Sequence, residues 1–392
     1  MNRKLWLLAI CQGLFLTNNV TFIAINGLVG FALAPRTWMA TLPVMGYVVG
    51  GALATGLVAR TQRRHGRRRS FQIGIAVAFG AALLCAWAVI SSSFWLLCTA
   101  TLVAGYYNAN AGLYRFAAAE LAEPAWREKA VSIVMAGGLI GAVVGPNLAA
   151  ATRGLFAVPF AGAYVALAVV AMLSMAVMSF IDFPAMPRAD AGAGGRPLGE
   201  IVRQPVFLIA AAAGALGYGV MNLLMAATPL AMQVCSLPFS DIATVLQWHV
   251  IGMFAPGFFT GHLIRRIGVL PVMGAGVLLN AGCIAVALSG VDLHRFEIAL
   301  FMLGVGWNFL FTGSTTLSMS AYRPEERDRA QAALNFSVFA TVALTSFASG
   351  VLVTTQGWRL LNLSSLAPVA LTGAALLWLA WHRRGTGHRP AV

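Results

Sequence analysis

Long apolar stretches, separated by short polar ones, follow each other along the whole chain. Twelve of them are long enough to cross a bilayer as helices, which takes about 20 mainly apolar residues. We number them segments 1 to 12, and they cover residues 5–33, 39–59, 71–91, 94–119, 131–152, 160–181, 205–232, 241–264, 269–290, 296–320, 331–353 and 360–381. The first stretch is too long for a cleavable signal peptide, and no Ala-x-Ala site precedes a soluble domain. The pattern predicts an all-α membrane protein with twelve transmembrane helices.

The composition also indicates lipid rather than water as the main solvent. Of the 392 residues, 59% are hydrophobic and 10% are charged, whereas a soluble domain carries roughly 25% charged residues. The net charge of +14 does not indicate nucleic-acid binding, because the basic residues lie in short groups between apolar segments. The five cysteines have no spacing typical of a metal site or a disulfide framework. We therefore expect no nucleic acid and no cofactor.

The basic residues predict how the chain is oriented in the membrane. With a cytoplasmic N-terminus, 21 of the 26 Lys and Arg residues fall on the cytoplasmic side, and Arg36, Arg153, Arg295 and Arg359 fall on the other. Basic loops favour the cytoplasmic side, so both termini are predicted to be cytoplasmic. Six arginines within residues 60–69 are expected to contact anionic lipid headgroups. The abundance of Arg, Ala and Gly indicates a bacterium, and hence its inner (plasma) membrane.

A change of composition divides the chain in the middle. Residues 182–204 are rich in Gly, Pro and Ala and carry both charge signs, which is typical of a flexible linker. Residues 1–181 then form an N-terminal six-helix bundle. Residues 205–392 form a C-terminal six-helix bundle with a short cytoplasmic tail.

The two bundles are copies of each other. Tyr107–Asn108 recurs 200 residues later as Trp307–Asn308, and each pair is followed by a P-x-x-R-x-[K/R]-A loop. The loops after segments 2 and 8 also match, since Gly56-Leu-Val-Ala-Arg60 precedes Gly261-His-Leu-Ile-Arg265 by 205 residues. Such internal symmetry is typical of secondary transporters.

These loops resemble the signature of the major facilitator superfamily, G-x-L-A-D-R-x-G-R, and the resemblance extends along essentially the whole chain. It implies two pseudo-symmetric six-helix bundles that move a solute by alternating access. The chain departs from the signature where the family has Asp, because Arg60 and Arg265 stand there. That Asp joins a cytoplasmic charge network in the family, and Glu120, Glu123 or Glu128 could supply the missing carboxylate.

Segment 5 contains a second family resemblance. Its Gly141-x-x-x-Gly145-Pro146 run is similar to the signature of the antiporter branch. The glycines allow a neighbouring helix to approach closely, and Pro146 removes a backbone hydrogen bond and is expected to bend the helix. Two interpretations remain open: an exporter hinge, or ordinary packing through small residues.

Four asparagines define the expected substrate site. At 1.5 Å of rise per residue, Asn18, Asn108, Asn222 and Asn308 lie near the middle of segments 1, 4, 7 and 10. The family resemblance implies that these segments line a central cavity at the bilayer midplane. We therefore expect a polar cavity, with Asn108 and Asn308 facing each other across it. The alternative is that each amide joins two helices.

Aromatic residues beside these amides indicate the kind of solute. Tyr107, Tyr218 and Trp307 are expected at the site, and rings beside amides suit a planar or amphipathic organic solute better than a bare ion.

The groups available for coupling are few. All twelve acidic residues lie in loops or near helix ends. Arg115 is placed inside segment 4, where it could snorkel, pair with Glu120, or attract an anion. His249 is the best candidate for proton coupling, with a neutral core histidine as the alternative.

The sequence predicts a monomeric secondary transporter of a small organic solute. It leaves open proton-coupled efflux, an uptake permease or uniporter, and a ligand sensor or scramblase on the same fold. An enzyme is not expected, because no HExxH, no GxSxG and no pair of acids at mid-membrane is present.

Overall fold

The computed structural model describes residues 3–123, 126–184 and 195–385 of the chain. Pro124, residues 185–194 of the expected linker and the side chain of Glu128 lie outside the described residues. The N-terminal half (residues 3–184) contains the helices Arg3–Leu33 (segment 1), Leu42–Ile90 (segments 2 and 3), Phe94–Ala111 and Tyr114–Glu120 (segment 4), Arg127–Ala136 and Gly138–Thr152 (segment 5), and Ala161–Met178 (segment 6). The C-terminal half (residues 195–385) contains Leu198–Val202, Pro205–Val234 (segment 7), Phe239–Phe254 and Gly257–Ile267 (segment 8), Val269–Ser289 (segment 9), Leu293–Met319 (segment 10), Arg327–Thr355 (segment 11) and Gly357–Gly385 (segment 12).

The architecture is that of twelve membrane segments, although fewer helices qualify as spans when each is taken alone. In the described part of the chain, nine helices are long and apolar enough to cross a membrane, or ten if segment 8 counts as one span. The helix Leu42–Ile90 accounts for two segments, because its backbone is not helical at Gly66. Gly66 has φ 76°, and Gly268, between segments 8 and 9, has φ 92°. Glycine adopts these values readily, so both copies of the repeated loop use a glycine to join two segments.

Three segments are interrupted where the sequence predicts continuous helices. Segment 4 divides at Gly112, and segment 8 bends by 41° between its two helices. Segment 5 is interrupted at Gly137, whereas the helix Gly138–Thr152 continues through Pro146. The break in segment 5 is therefore at Gly137, which packs against segment 1, and not at Pro146, where the sequence predicts a bend.

The two ends of the bundle differ in charge and in how the halves meet. We call the end with the loops after even-numbered segments the arginine-rich end, and the opposite end the arginine-poor end. The contacts between the halves near the arginine-poor end include two hydrogen bonds, from Asn147 Nδ2 to Gln247 Oε1 (2.6 Å) and from Gly350 N to Thr41 Oγ1 (3.1 Å). They also include the edge-to-face ring pairs Phe160–Phe239 (5.2 Å) and Trp38–Phe347 (5.9 Å). These contacts close the arginine-poor end.

Large apolar side chains remain exposed around the bundle. Leu53, Leu278 and Leu377 are each more than 70% exposed, and Trp87 and Trp95 are 61% exposed. Such a surface is costly in water and is expected where lipid surrounds the protein.

Candidate functional site

Four aromatic side chains of the C-terminal half pack together at the interface between the halves. We call Tyr218, Phe254, Trp307 and Phe311 the aromatic group. Trp307 and Phe311, one turn apart in segment 10, are stacked at 5.2 Å with 8° between their planes. Tyr218 stands edge-on to both, at 5.2 and 5.5 Å, and Phe254 lies 6.2 Å from Trp307. The result is a set of flat faces and ring edges that a planar solute can contact.

The position of this group is fixed by contacts with both halves. Val48 of segment 2 packs in the same apolar cluster as Tyr218 and Phe311. Phe254 packs against an apolar cluster of the N-terminal half and against a second cluster to which both halves contribute. The Nε1 donor of Trp307 is buried and has no hydrogen-bond partner in the described residues, so an acceptor from a bound solute could use it.

The two asparagines of the C-terminal half hold helices together. Asn308 Nδ2 donates to the Met253 carbonyl, and its Oδ1 accepts from Thr260 Oγ1, both at 2.7 Å. These partners lie on either side of the break in segment 8, where Pro256 has no N–H to continue the helix. The structure therefore differs from the expectation that Asn308 opens towards Asn108, because the buried amide is bound by the Met253 carbonyl on one side of the break and the Thr260 hydroxyl on the other.

Asn222 is similarly engaged between segments 7 and 11. Its Nδ2 lies 3.2 Å from the Val342 carbonyl, 3.1 Å from Thr345 Oγ1 and 2.9 Å from Ser346 Oγ. In this conformation Asn222 thus follows the helix-joining alternative.

The asparagines of the N-terminal half remain available. Asn18 is 3% exposed and Asn108 is half-buried beside Gly51. Neither amide has a hydrogen-bond partner within the part of the chain that the structure describes. Thr55, the repeat counterpart of Thr260, donates to the Gly51 carbonyl at 3.1 Å instead of to Asn108. Both halves thus keep the Asn and the Thr. The Asn108 amide has no hydrogen-bond partner in the described residues, whereas the Asn308 amide is hydrogen-bonded.

Tyr107 does not lie beside the free amides. It is 2% exposed and packs edge-on against Phe15 at 5.4 Å, inside the core of the N-terminal half. Its repeat mate Trp307 faces the interface, so the two ring positions have diverged.

Arg115 lies near the arginine-rich end of segment 4. Its Nε is buried without a hydrogen-bond partner in the described residues, and its Cζ lies 4.9 Å from the ring centre of Phe116. The expected pairing with Glu120 does not form, because both Glu120 oxygens bind Arg67, at 3.0 and 2.6 Å.

His249 is completely buried between segments 8 and 10. Its Nδ1 lies 2.7 Å from the Leu300 carbonyl, and its Nε2 has no partner in the described residues. Since a carbonyl can only accept, Nδ1 carries the proton and Nε2 is left as an acceptor. This is the arrangement of a neutral core histidine, and a coupling role stays a prediction.

The glycines of segment 5 face segment 1. A Cβ atom on Gly141 would lie 2.5 Å from Leu16 Cβ and 2.7 Å from the Gly13 carbonyl oxygen. Thr21 Oγ1 donates to the Gly145 carbonyl at 2.9 Å. These glycines therefore bring two helix backbones together, as the packing interpretation expects. The hinge role stays a prediction.

Comparison with known proteins agrees with these features. Residues 5–339 and 237–391 match the model of the Major Facilitator Superfamily. The chain belongs to the major facilitator superfamily. It is a transport protein of this superfamily and not an enzyme.

Individual members of the superfamily resemble the chain to different degrees. The "Riboflavin transporter RfnT" of Brucella anthropi is 38% identical over 379 residues, which are 96% of this chain and 95% of that protein. The "Uncharacterized MFS-type transporter YddS" of Bacillus subtilis is 25% identical over 87% of this chain and 82% of its own length. Among solved structures, an inward-facing and occupied bacterial homologue of the human lysosomal transporter Spinster has 14% identity and a TM-score of 0.74, covering 99% of this chain and 98% of that one.

As a major facilitator, the chain needs a substitute for the Asp missing from its loop signature. Arg67, in the loop after segment 2, binds Glu120 at the end of segment 4 and also contacts Gln62. Glu120 therefore supplies a carboxylate to this loop, as one of the three expected acids, while Glu123 is exposed. Arg68 pairs with Asp182 at 2.7 Å.

A third ion pair at this end was missed by sequence reasoning. Glu326, which has no exposed surface, accepts from Arg196 N (2.7 Å), Arg196 Nη2 (2.7 Å) and Arg323 N (2.9 Å). These donors hold the pKa of Glu326 well below its usual value, with the Arg196 side chain as the largest cause. The pair fixes the C-terminal end of the linker to the loop after segment 10. One sequence feature could have indicated this ion pair: the repeat does not conserve Glu326, because Trp126 occupies the equivalent position in the N-terminal half.

Proposed function

We propose that this protein transports riboflavin or a closely related flavin across the membrane by alternating access. The observation that carries the proposal is the aromatic group at the interface of the halves. A flavin ring is flat, aromatic and edged with carbonyl groups, so it can pack against the rings of Tyr218, Trp307 and Phe311. The 38% identity to a riboflavin transporter, over 96% of the chain, supports the same substrate.

Hydrogen bonds to the solute come mainly from the opposite half in this proposal. Asn18 and Asn108 have amides without partners in the described residues, and they can bind the carbonyl groups or the ribityl hydroxyls. Trp307 Nε1 supplies a further donor. Asn222 and Asn308 act on the solute indirectly, by holding segments 7, 8, 10 and 11 in place.

The transport cycle follows from the closed arginine-poor end. We propose that both termini are cytoplasmic and that the protein lies in a bacterial inner membrane, as the distribution of basic residues supports. In this proposal the arginine-poor end, where the halves touch, faces away from the cytoplasm. To open this end, the bundles of residues 1–181 and 205–392 must rotate about the linker and separate contacts such as Asn147–Gln247. Reporter fusions after Arg196 and Arg384 should both give a cytoplasmic signal.

Efflux in exchange for protons is the second candidate. The glycine–proline run Gly141 to Pro146 supports it through its similarity to the antiporter signature. His249 is the titrating group it would use. An imposed pH gradient should then drive riboflavin against its concentration gradient, whereas a uniporter would not respond.

Counterflow in proteoliposomes tests the proposed substrate. Vesicles loaded with unlabelled riboflavin should transiently accumulate labelled riboflavin from outside. Trp307→Ala should reduce the initial rate at least about tenfold, because it removes stacking of about 1.4 kcal/mol or more. Trp87→Ala, a tryptophan change on the exposed surface, is the matched control and should leave the rate unchanged. Folded protein without riboflavin counterflow would contradict the proposal.

A further inference from the structure

An arginine at the arginine-poor end lies against aromatic rings of both halves. Arg153 follows the last helical residue of segment 5, and its Cζ lies 5.1 Å from the ring centre of Phe160, directly before the helix of segment 6. The same atom lies 5.6 Å from the ring centre of Phe239, which begins segment 8 of the other half. A guanidinium within about 6 Å of a ring centre is attracted to the face of the ring. We call Arg153, Phe160 and Phe239 the arginine clasp.

The clasp joins the halves through rings and a cation, and not through an ion pair. Phe160 and Phe239 pack edge to face at 5.2 Å and are 8% and 6% exposed, whereas Arg153 is exposed. Within the described ranges, no carboxylate forms an ion pair with Arg153. When the halves separate, the guanidinium can therefore return to water, and no buried charge loses its partner. Such a contact can stabilise one conformation and still be broken in every cycle.

The clasp lies further out in the bundle than the hydrogen bond between the same two segments. Along the chain, Asn147 stands six residues before Arg153 in segment 5, and Gln247 stands eight residues after Phe239 in segment 8. At 1.5 Å of rise per residue, the hydrogen bond of Asn147 and Gln247 lies about 9–12 Å deeper. Because rigid halves that rotate apart separate most at the rim, the clasp must break before a solute can pass this end.

The backbone of Phe160 is held in a conformation that phenylalanine disfavours. Its φ is 67°, in the left-handed region, where a bulky residue is an outlier. Its N–H donates to the Arg153 carbonyl at 3.0 Å, which closes the junction between segments 5 and 6 into a loop. At the start of segment 12 in the C-terminal half, the residue with a positive φ is Gly357, at 78°, and glycine adopts this value readily. Strain persists where the surrounding structure imposes it, often at functional sites, which indicates a role for the Phe160 ring.

We propose that the arginine clasp is the latch that holds the arginine-poor end closed. Arg153 is attached to Phe160 of its own half through backbone and side chain, and its guanidinium reaches Phe239 of the other half. The closed state gains the edge-to-face ring pair and the cation–π attraction, and the state that is open at this end loses both. The clasp thus sets how often this end opens, whatever solute is carried, so the inference does not depend on the proposed substrate.

Distances between spin labels on the purified full-length protein test the latch. Nitroxides at Ser91→Cys and Val291→Cys, exposed positions of the two halves at the arginine-poor end, report the opening of that end. A second pair, at Arg64→Cys and Arg266→Cys, reports the arginine-rich end. The five native cysteines are replaced by alanine. Double electron–electron resonance in lipid nanodiscs then gives the open and closed fractions without any solute.

Loss of the cation or of a ring should shift the equilibrium towards an open arginine-poor end. Arg153→Gln should raise the open-to-closed ratio about two- to fivefold, as expected for one cation–π contact at an exposed site, and Arg153→Lys should restore most of the closed fraction. Phe160→Ala should raise the ratio at least about tenfold, because the ring pair is lost as well. Arg359→Gln and Phe156→Ala, which change exposed residues at the same end, are the matched controls and should leave the ratio unchanged.

The second label pair distinguishes a latch from local unfolding of the junction. If the clasp is a latch, the arginine-rich end should close in the same variants, and to the same extent, as the arginine-poor end opens. Opening of the arginine-poor end with an unchanged arginine-rich end would show that only the junction unfolds, and it would overturn the proposal. The same holds if Arg153→Gln behaves like Arg359→Gln, or if Arg153→Lys behaves like Arg153→Gln.

Discussion

The two halves pack equivalent helices together in different ways. In the N-terminal half, segment 5 meets segment 1 through glycines, and Gly141 leaves no room for a Cβ atom beside Leu16 and Gly13. In the C-terminal half, segment 11 meets segment 7 through a polar cluster in which the Asn222 amide lies within 3.2 Å of three acceptors. We call these contacts the glycine seam and the amide seam. A repeat can therefore keep its architecture while one copy uses backbone proximity and the other uses hydrogen bonds.

The two seams tolerate different substitutions. In the glycine seam the backbones touch because glycine has no side chain, so nearly any substitution places atoms where backbone atoms already lie. The amide seam depends on present donors, so it loses stability by truncation and not by crowding. The predictions below use this contrast.

Substitution in the glycine seam should have the largest effect. Gly141→Leu forces segments 1 and 5 apart, because the atoms it meets belong partly to the backbone. We expect a loss of more than about 3 kcal/mol, beyond the usual cost of overpacking, seen as loss of the monodisperse peak in size exclusion. Gly80→Leu is the control, since a Cβ atom at Gly80 meets nothing within 4 Å. Similar behaviour of the two variants would show that the seam is not tightly packed.

The amide seam should lose less. Asn222→Leu removes the donor between segments 7 and 11, and we expect about 1–2 kcal/mol, read from the thermal unfolding midpoint. Asn18→Leu, near the equivalent place in segment 1, should change stability by less than about 0.5 kcal/mol, because no hydrogen bond of the described residues is lost. It should instead weaken riboflavin binding. Equal destabilisation by both substitutions would remove the proposed division between bound and free amides.

Single hydroxyl groups sharpen the comparison at a smaller scale. Thr21→Val removes the one hydroxyl that donates to Gly145 across the glycine seam, and about 0.6 kcal/mol is expected. Thr345→Val should cost less, since the Asn222 amide keeps Ser346 and the Val342 carbonyl. Denaturation midpoints of the two variants in the same detergent give the order, and the reverse order would count against the shared amide.

The smallest expected effect is local and depends on pH. Arg196 lowers the pKa of Glu326, so this pair stabilises the linker contact above the usual glutamate pKa, and the contribution is lost as pH falls through the lowered value. After correction for intrinsic rates, hydrogen exchange in residues 195–203 should increase in acid. Glu326→Gln should exchange faster at neutral pH and show little further pH dependence. An unchanged rate in that variant would mean that the carboxylate does not hold the linker.

The fold was predictable from the sequence because a helix that spans a bilayer needs a long apolar segment, and short charged loops separate these segments. The number of segments and the division into two halves follow from that pattern. The breaks at Gly112, Gly137 and Pro256 did not follow, because an interrupted helix is stabilised by a neighbour that is distant in sequence. Thr260 and Met253, for example, show no sign of their shared partner in segment 10.

For the candidate site, the sequence indicates which residue types are present but not which way each side chain points. Midplane depth selected all four asparagines, yet depth does not tell whether an amide faces a cavity or a helix. Asn308 and Asn222 turned towards neighbours with free acceptors, and Tyr107 turned into its own half. The aromatic group was found in part through Tyr218 and Trp307, whereas Phe254 and Phe311 are ordinary apolar residues in the sequence.

The amide that bridges the break in segment 8 has a consequence for the speed of transport. If segment 8 straightens when the arginine-poor end opens, both hydrogen bonds of Asn308 must break before new ones form. That step then carries an activation enthalpy, so turnover should rise steeply on warming. Segment 2, its counterpart, is a continuous helix whose Thr55 donates to the Gly51 carbonyl and not to the Asn108 amide, so it can move without this barrier. One side chain would then set the temperature range in which the whole protein works.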